Sequence, residues 1–134
     1  MKQILHTDAA PAAVGPYSQA VRAGNLLFIS GQLGLDPESG TLAGDDIRKQ
    51  TEQVLLNIKA ILMKAGLTPA DVVKATVYLS DINDFKAMNE IYGLMFNAEP
   101  PARAAFQVAA LPLAAKVEIE AIALIHSNSK FGAS

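Results

Sequence analysis

Cysteine is absent from this chain. That removes a disulfide framework, a thiolate nucleophile and any cysteine-based metal site together. Histidine is scarce: His6 and His126 stand near opposite ends, so no local metal-ligand spacing contains them. Charge is scarce as well, at 18% of residues against the usual ~25%. The net charge is −2 and the basic residues are scattered, which disfavours a phosphate-backbone ligand. Aromatic residues interleaved with basic ones, the mark of single-strand nucleic-acid stacking, are missing. No apolar run approaches the ~20 residues that span a bilayer. The first residues lack a basic-then-apolar export pattern, so a cytoplasmic location is expected and a membrane partner is not. No nucleophile-elbow motif occurs. Gly31-Gln32-Leu33-Gly34 is neither a dinucleotide fingerprint nor a P-loop.

Apolar residues are plentiful instead, at 51%. A small domain with so little charge to cover its surface is expected to hide part of that surface in a homo-oligomer. The length of 134 residues fits one domain with its own core. Residues 1–134 read as a single domain with a loose tail over 127–134.

The first third reads as extended chain. Gln3 to His6 is a short strand, and Ala9 to Pro16 is irregular. Tyr17–Arg22 and Leu26–Ser30 form a hairpin about Ala23-Gly24-Asn25. Gly31, Gly34 and Asp36-Pro37-Glu38-Ser39-Gly40 are expected to break the chain. Asp45 to Ala65 is a helix, with Val54, Ile58, Ile61, Leu62 and Ala65 at helical spacing and Gly66 as its stop. Thr68 to Asp71 is a capped turn, and the β-branched Val72–Ser80 is a strand. Asn83 is expected to cap a second helix that runs to about Phe96, with Phe85, Met88, Tyr92 and Met95 as its apolar stripe. Pro100-Pro101 ends that helix. Strands follow at Ala102–Ala109 and Lys116–Ile125. The order ββ–α–β–α–ββ predicts an α+β two-layer sandwich, a mixed sheet with both helices on one face. The other face then needs a different cover, which a partner subunit would supply.

Three groups of residues have chemical potential. Arg103 opens a strand of small and apolar residues behind two stiffening prolines, and its guanidinium fork matches a carboxylate or phosphate. It equally fits a plain surface arginine or one paired to an internal carboxylate. In the last strand, alternation puts Val117, Ile119, Ala121, Ala123 and Ile125 on one face, and Lys116, Glu118, Glu120, Ile122 and Leu124 on the other. That second face begins charged and becomes fully apolar, which places a carboxylate at a polar–apolar border. Desolvation there raises a carboxylate's pKa toward that of a general base, although a solvated strand end with a Lys116–Glu118 pair also satisfies the pattern. Tyr17-Ser18-Gln19 and Ser30-Gly31-Gln32 gather hydroxyls and amides that orient polar ligands or simply make turns.

These same residues resemble the RidA (YjgF-type) family. The matching pieces are Ala9-Ala10-Pro11-Ala12-Ala13-Val14-Gly15-Pro16-Tyr17-Ser18-Gln19-Ala20, Ile29-Ser30-Gly31-Gln32 and Asp71–Leu79. They continue with Asp84-Phe85, Asn89, Pro101-Ala102-Arg103, Leu111-Pro112 and Lys116–Ala123, in order from about residue 9 to residue 125. The pairing of Arg103 with Glu118 is similar to the imine-deaminating subgroup. The resemblance implies a chorismate-mutase-like fold and a homotrimer with sites between subunits. The implied reaction is hydrolysis of 2-imino acids, such as 2-iminobutanoate and 2-iminopropanoate, to 2-oxo acids and ammonia. Such imines arise from enamines released by pyridoxal-phosphate enzymes. No metal or organic cofactor is implied. On this reading Arg103 and Glu118 are catalytic, while Tyr17, Ser30, Gly31, Asn89 and the carbonyl of Ala105 bind substrate. Many relatives carry cysteine at the position of Ala105, so only its backbone can act here. The connection Asn97-Ala98-Glu99 is shorter than in many relatives. Two other activities fit the same resemblance: a 2-oxo-acid-binding or chaperone-like module without turnover, and a translation-inhibiting endoribonuclease.

Overall fold

The computed structural model describes residues 2–126; the tail expected over 127–134 lies outside them. Six strands and two helices follow in the order β1 (Lys2–Leu5), β2 (Ala20–Ala23), β3 (Leu26–Leu33), α1 (Ile47–Lys64), β4 (Val72–Leu79), α2 (Phe85–Met95), β5 (Ala102–Gln107) and β6 (Val117–Leu124). The sheet order is β1-β2-β3-β6-β4-β5. Only β4 and β5 pair in parallel, with α2 as the crossover between them. The last strand lies antiparallel between β3 and β4 and locks the two halves together.

Both helices bury their apolar stripes on one sheet face. Val54, Ile58, Ile61 and Leu62 of α1 and Met88 and Tyr92 of α2 meet Ala75, Val77, Leu79, Val117, Ile119 and Ala121 in one core. Truncating a side chain such as Ile58 to alanine there costs about 2–5 kcal/mol. Among the described residues nothing covers the opposite face. Phe28, Phe106 and Leu124 are exposed on it.

Two buried amides tie the loops to α1. Gln50 donates to the Gly44 carbonyl and accepts from the Lys116 amide, each at 2.8 Å. Asn57 donates to the carbonyls of Leu33 (3.1 Å) and Leu35 (3.0 Å). Strand and helix meet closely at Gly34, where a Cβ would stand 2.7 Å from the Gln50 carbonyl oxygen.

Most elements fall within one or two residues of the sequence reading, and four differences have a clear physical cause. The hairpin arm begins at Ala20, not Tyr17, because Tyr17 turns back on the Gly15 carbonyl. Gly31 does not break the chain: β3 continues to Leu33 through a bulge between Ile29 and Gln32, whose extra residue disturbs the alternation. Asn83 is not a cap. Asp81 accepts from the Asn83 amide and starts a 3-10 turn, Ile82–Asp84, that leads into α2. The fifth strand ends at Gln107, whose side chain accepts from the Ile82 amide.

Candidate active site

Arg103 and Glu118 reach opposite faces of the sheet. Arg103 pairs across the ladder with Ala75, which is buried against the helices. Cross-strand partners share a face, so Arg103 stands on the helix side. There its Nη1 donates to Asn89 Oδ1 at 2.7 Å. Among the described residues no carboxylate lies within ion-pair reach of it. Asn89, Tyr92, Gly93, Phe96, Pro100, Pro101 and Arg103 line a cleft of about 380 Å³ at this edge of the molecule. Glu99 takes a positive φ of 48°, which lets the short 97–99 connection turn sharply into the two prolines.

Glu118 pairs with Tyr78, which lies between the buried Val77 and Leu79 and therefore faces the other way. A second cleft, about 740 Å³, opens on this side, and Tyr17, Ser30, Gly31, Glu118 and Glu120 are among its lining residues. The β3 bulge brings Gly31 against Glu118: a methyl group at residue 31 would collide with the carboxylate. Ser30 Oγ donates to the Ser18 carbonyl at 2.5 Å, which leaves the oxygen able to accept a further hydrogen bond. Desolvation pushes the Glu118 carboxyl above the usual carboxylate range, and the neighbouring Glu120 charge adds to the shift.

One subunit therefore does not bring the candidates together. Tyr17, Ser30 and Gly31 gather at Glu118, and Asn89 gathers at Arg103. The strands carrying the two charged groups are two ladder steps apart, and Arg103 is level with Ala75 while Glu118 is level with Tyr78. That separates them by roughly 10 Å in each in-plane direction, in addition to the change of face. Ala105 shares the Arg103 side. The Val108 amide donates to the Leu79 carbonyl, and strand alternation then turns the carbonyls of Arg103 and Ala105 to the open sheet edge.

Some neighbours were not legible as site residues. Phe85 and Tyr92 read as core stripe, yet both rings lie on the Arg103 guanidinium. Leu113 lines the Glu118 cleft at a positive φ of 59°, and Ala114 follows at 55°. Nothing in the local sequence marks this strained backbone, which a glycine would adopt at less cost.

Fold and site define a two-layer α+β protein with an arginine, unpaired by any carboxylate of the described residues, beside a cleft at one edge of the molecule. The model of the endoribonuclease L-PSP family matches residues 7–125, and the chain belongs to this family. It is 53% identical over 124 residues to the 2-iminobutanoate/2-iminopropanoate deaminase of Capra hircus, covering 92% of this chain and 90% of that protein. Among solved structures it is similar to RidA from an Antarctic Psychrobacter, with a TM-score of 0.88 and 53% identity over 92% of this chain and 99% of that one. It is also similar to Escherichia coli TdcF with bound serine, with a TM-score of 0.89 and 42% identity over 92% and 99% of the two chains. The α+β fold and the RidA resemblance read from the sequence agree with these findings.

Proposed function

We propose that this protein hydrolyses reactive 2-imino acids, 2-iminobutanoate and 2-iminopropanoate among them, to 2-oxo acids and ammonia. Several relatives about as similar as the goat protein carry the same deaminase name. The observation that carries the reading is Arg103: a guanidinium oriented by Asn89, beside a cleft, with no carboxylate of the described chain to neutralise it.

The chemistry follows from the substrate. Arg103 takes the carboxylate through two parallel hydrogen bonds and so fixes the adjacent C=N carbon. Glu118, poised by desolvation, accepts a proton as water adds to that carbon. Glu118 returns that proton to nitrogen to complete the tetrahedral carbinolamine; the hydroxyl proton then passes to nitrogen as C=O forms and the C–N bond breaks, so ammonia leaves and the 2-oxo acid remains. The edge-facing carbonyl of Ala105 holds the water or the leaving nitrogen. Tyr17, Ser30, Gly31 and Asn89 shape the cleft.

Because Arg103 and Glu118 lie on opposite faces, one ligand meets both only between two subunits. The exposed apolar groups on the open sheet face support a homotrimer whose clefts are shared in this way. A cytoplasmic site of action belongs to the same proposal, since short-lived imines are best met where the enzyme releasing them works.

The test mixes subunits. Arg103→Ala and Glu118→Gln each abolish accelerated imine loss in an assay coupled to a threonine dehydratase. Unfolding and reassembling the two variants together restores about a quarter of wild-type activity, because random pairing gives that share of intact sites. No recovery on mixing sinks the shared site, and unchanged activity in Arg103→Ala sinks the role of the arginine.

The family's description as an endoribonuclease favours one other reading. RNA cleavage that survives stringent purification and disappears in a site variant would support it; the net charge of −2 counts against it.

A further inference from the structure

Helix α2 presents Phe85, Asn89 and Tyr92 at intervals of four and three, one stripe of a helix. All three residues hold the same side chain. Asn89 fixes one edge of the Arg103 guanidinium. The Tyr92 ring centroid lies 4.7 Å from Arg103 Cζ, and that of Phe85 lies 5.4 Å away. Among the described residues the guanidinium makes no other hydrogen bond, so the remaining N–H groups stay available to a ligand.

Tyr92 is only 5% exposed. Its hydroxyl is buried and has no hydrogen-bond partner among the described residues. Burial pushes the phenol above its ordinary pKa, against the opposing pull of the Arg103 charge, so the group is neutral. The hydroxyl reaches nothing, whereas the ring face reaches the cation.

We propose that Tyr92 is a positioning residue: its ring, not its hydroxyl, holds the Arg103 guanidinium in the plane that receives a carboxylate. Without the ring face, a guanidinium tied by one hydrogen bond swings about that bond, and two-pronged capture of a carboxylate becomes rare. The inference rests on the carboxylate-binding role given to Arg103 above. It adds that the helix stripe decides how well that role is performed. Ground-state binding therefore suffers on loss of the ring, while proton transfer at Glu118 does not.

The test compares Tyr92→Met, which fills most of the space with a flexible chain and removes the ring, with Tyr92→Phe, which keeps the ring. Calorimetric affinity for 2-oxobutanoate and the KM and kcat for 2-iminobutanoate are measured on the assembled protein. Tyr92→Met weakens 2-oxobutanoate binding and raises KM by about fivefold to tenfold, the size of a partly desolvated cation–π contact, with kcat little changed. Tyr92→Phe recovers most of that loss and raises the thermal midpoint, because it removes an unsatisfied hydroxyl. Phe85→Leu, at a less buried ring, shifts both constants in the same direction by a smaller factor.

Unchanged affinity in Tyr92→Met overturns the proposal. So does a loss in Tyr92→Phe as large as that in Tyr92→Met, which would make the hydroxyl the working group. The wild-type arm separates the two readings. If it binds 2-oxobutanoate without accelerating imine loss, the deaminase reading fails, and the Tyr92 proposal is still decided by the affinities. If it binds no 2-oxo acid, both fail together.

Discussion

The two faces of the sheet are made from the same strands and solve different problems. The helix face is closed: its side chains interlock with α1 and α2, and Arg103 stands at its rim, steered by residues of α2. The open face carries Glu118, held against Gly31 by a bulge, among residues that the rest of the described chain leaves uncovered. The comparison separates two requirements of the proposed reaction. A cation that must keep its direction is placed where packing can fix it. A carboxylate that must lose water without a counter-ion is placed on the open face, where the proposed partner subunit would finish the burial.

The largest effect expected from this contrast is on the open face. Glu118→Gln removes the proton acceptor and lowers kcat by about 10²–10⁴-fold with little change in KM. Steady-state kinetics in the coupled assay measure both constants, and a change confined to KM would mean that Glu118 only binds. Next comes Gly31→Ala. The added methyl displaces the flexible carboxylate, not the backbone, so kcat falls by roughly tenfold while the fold survives. A crystal structure of that variant with Glu118 unmoved would contradict the explanation.

A smaller effect concerns stability. The Glu118 pKa is raised in the folded state, so the folded chain binds the extra proton between the unfolded and folded values, and stability falls as pH rises through that window. At neutral pH the ionised carboxylate is therefore a cost. Glu118→Gln relieves it and raises the thermal midpoint, a gain that disappears in acid below the usual carboxylate range. The smallest effect is that of Glu120→Gln. Removing the neighbouring charge lowers the Glu118 pKa, so the acid limb of the kcat profile moves modestly to lower pH. No movement of that limb would assign it to another group.

Much of the fold was legible in the sequence because it rests on local periodicity. The α1 stripe of Val54, Ile58, Ile61 and Leu62 and the alternation of β6 each correspond to a buried face. Less was legible where one residue broke a pattern. The bulge at Ser30-Gly31 made a continuing strand look like a stop, and its purpose appears only in space, where Gly31 makes room for a carboxylate 87 positions later in the chain. The cap of α2 was misplaced because Asp81 and Asn83 are both good caps, and the choice fell to a 3-10 turn that also anchors the end of β5.

The sequence by itself determined most of the elements, the apolar faces and Arg103 as a guanidinium at a strand mouth, because helical and strand periods and turn chemistry act over a few residues. Only the tertiary structure decided that Arg103 and Glu118 face away from each other. The side a strand residue faces depends on ladder register between segments far apart in the chain, and no local pattern encodes that register.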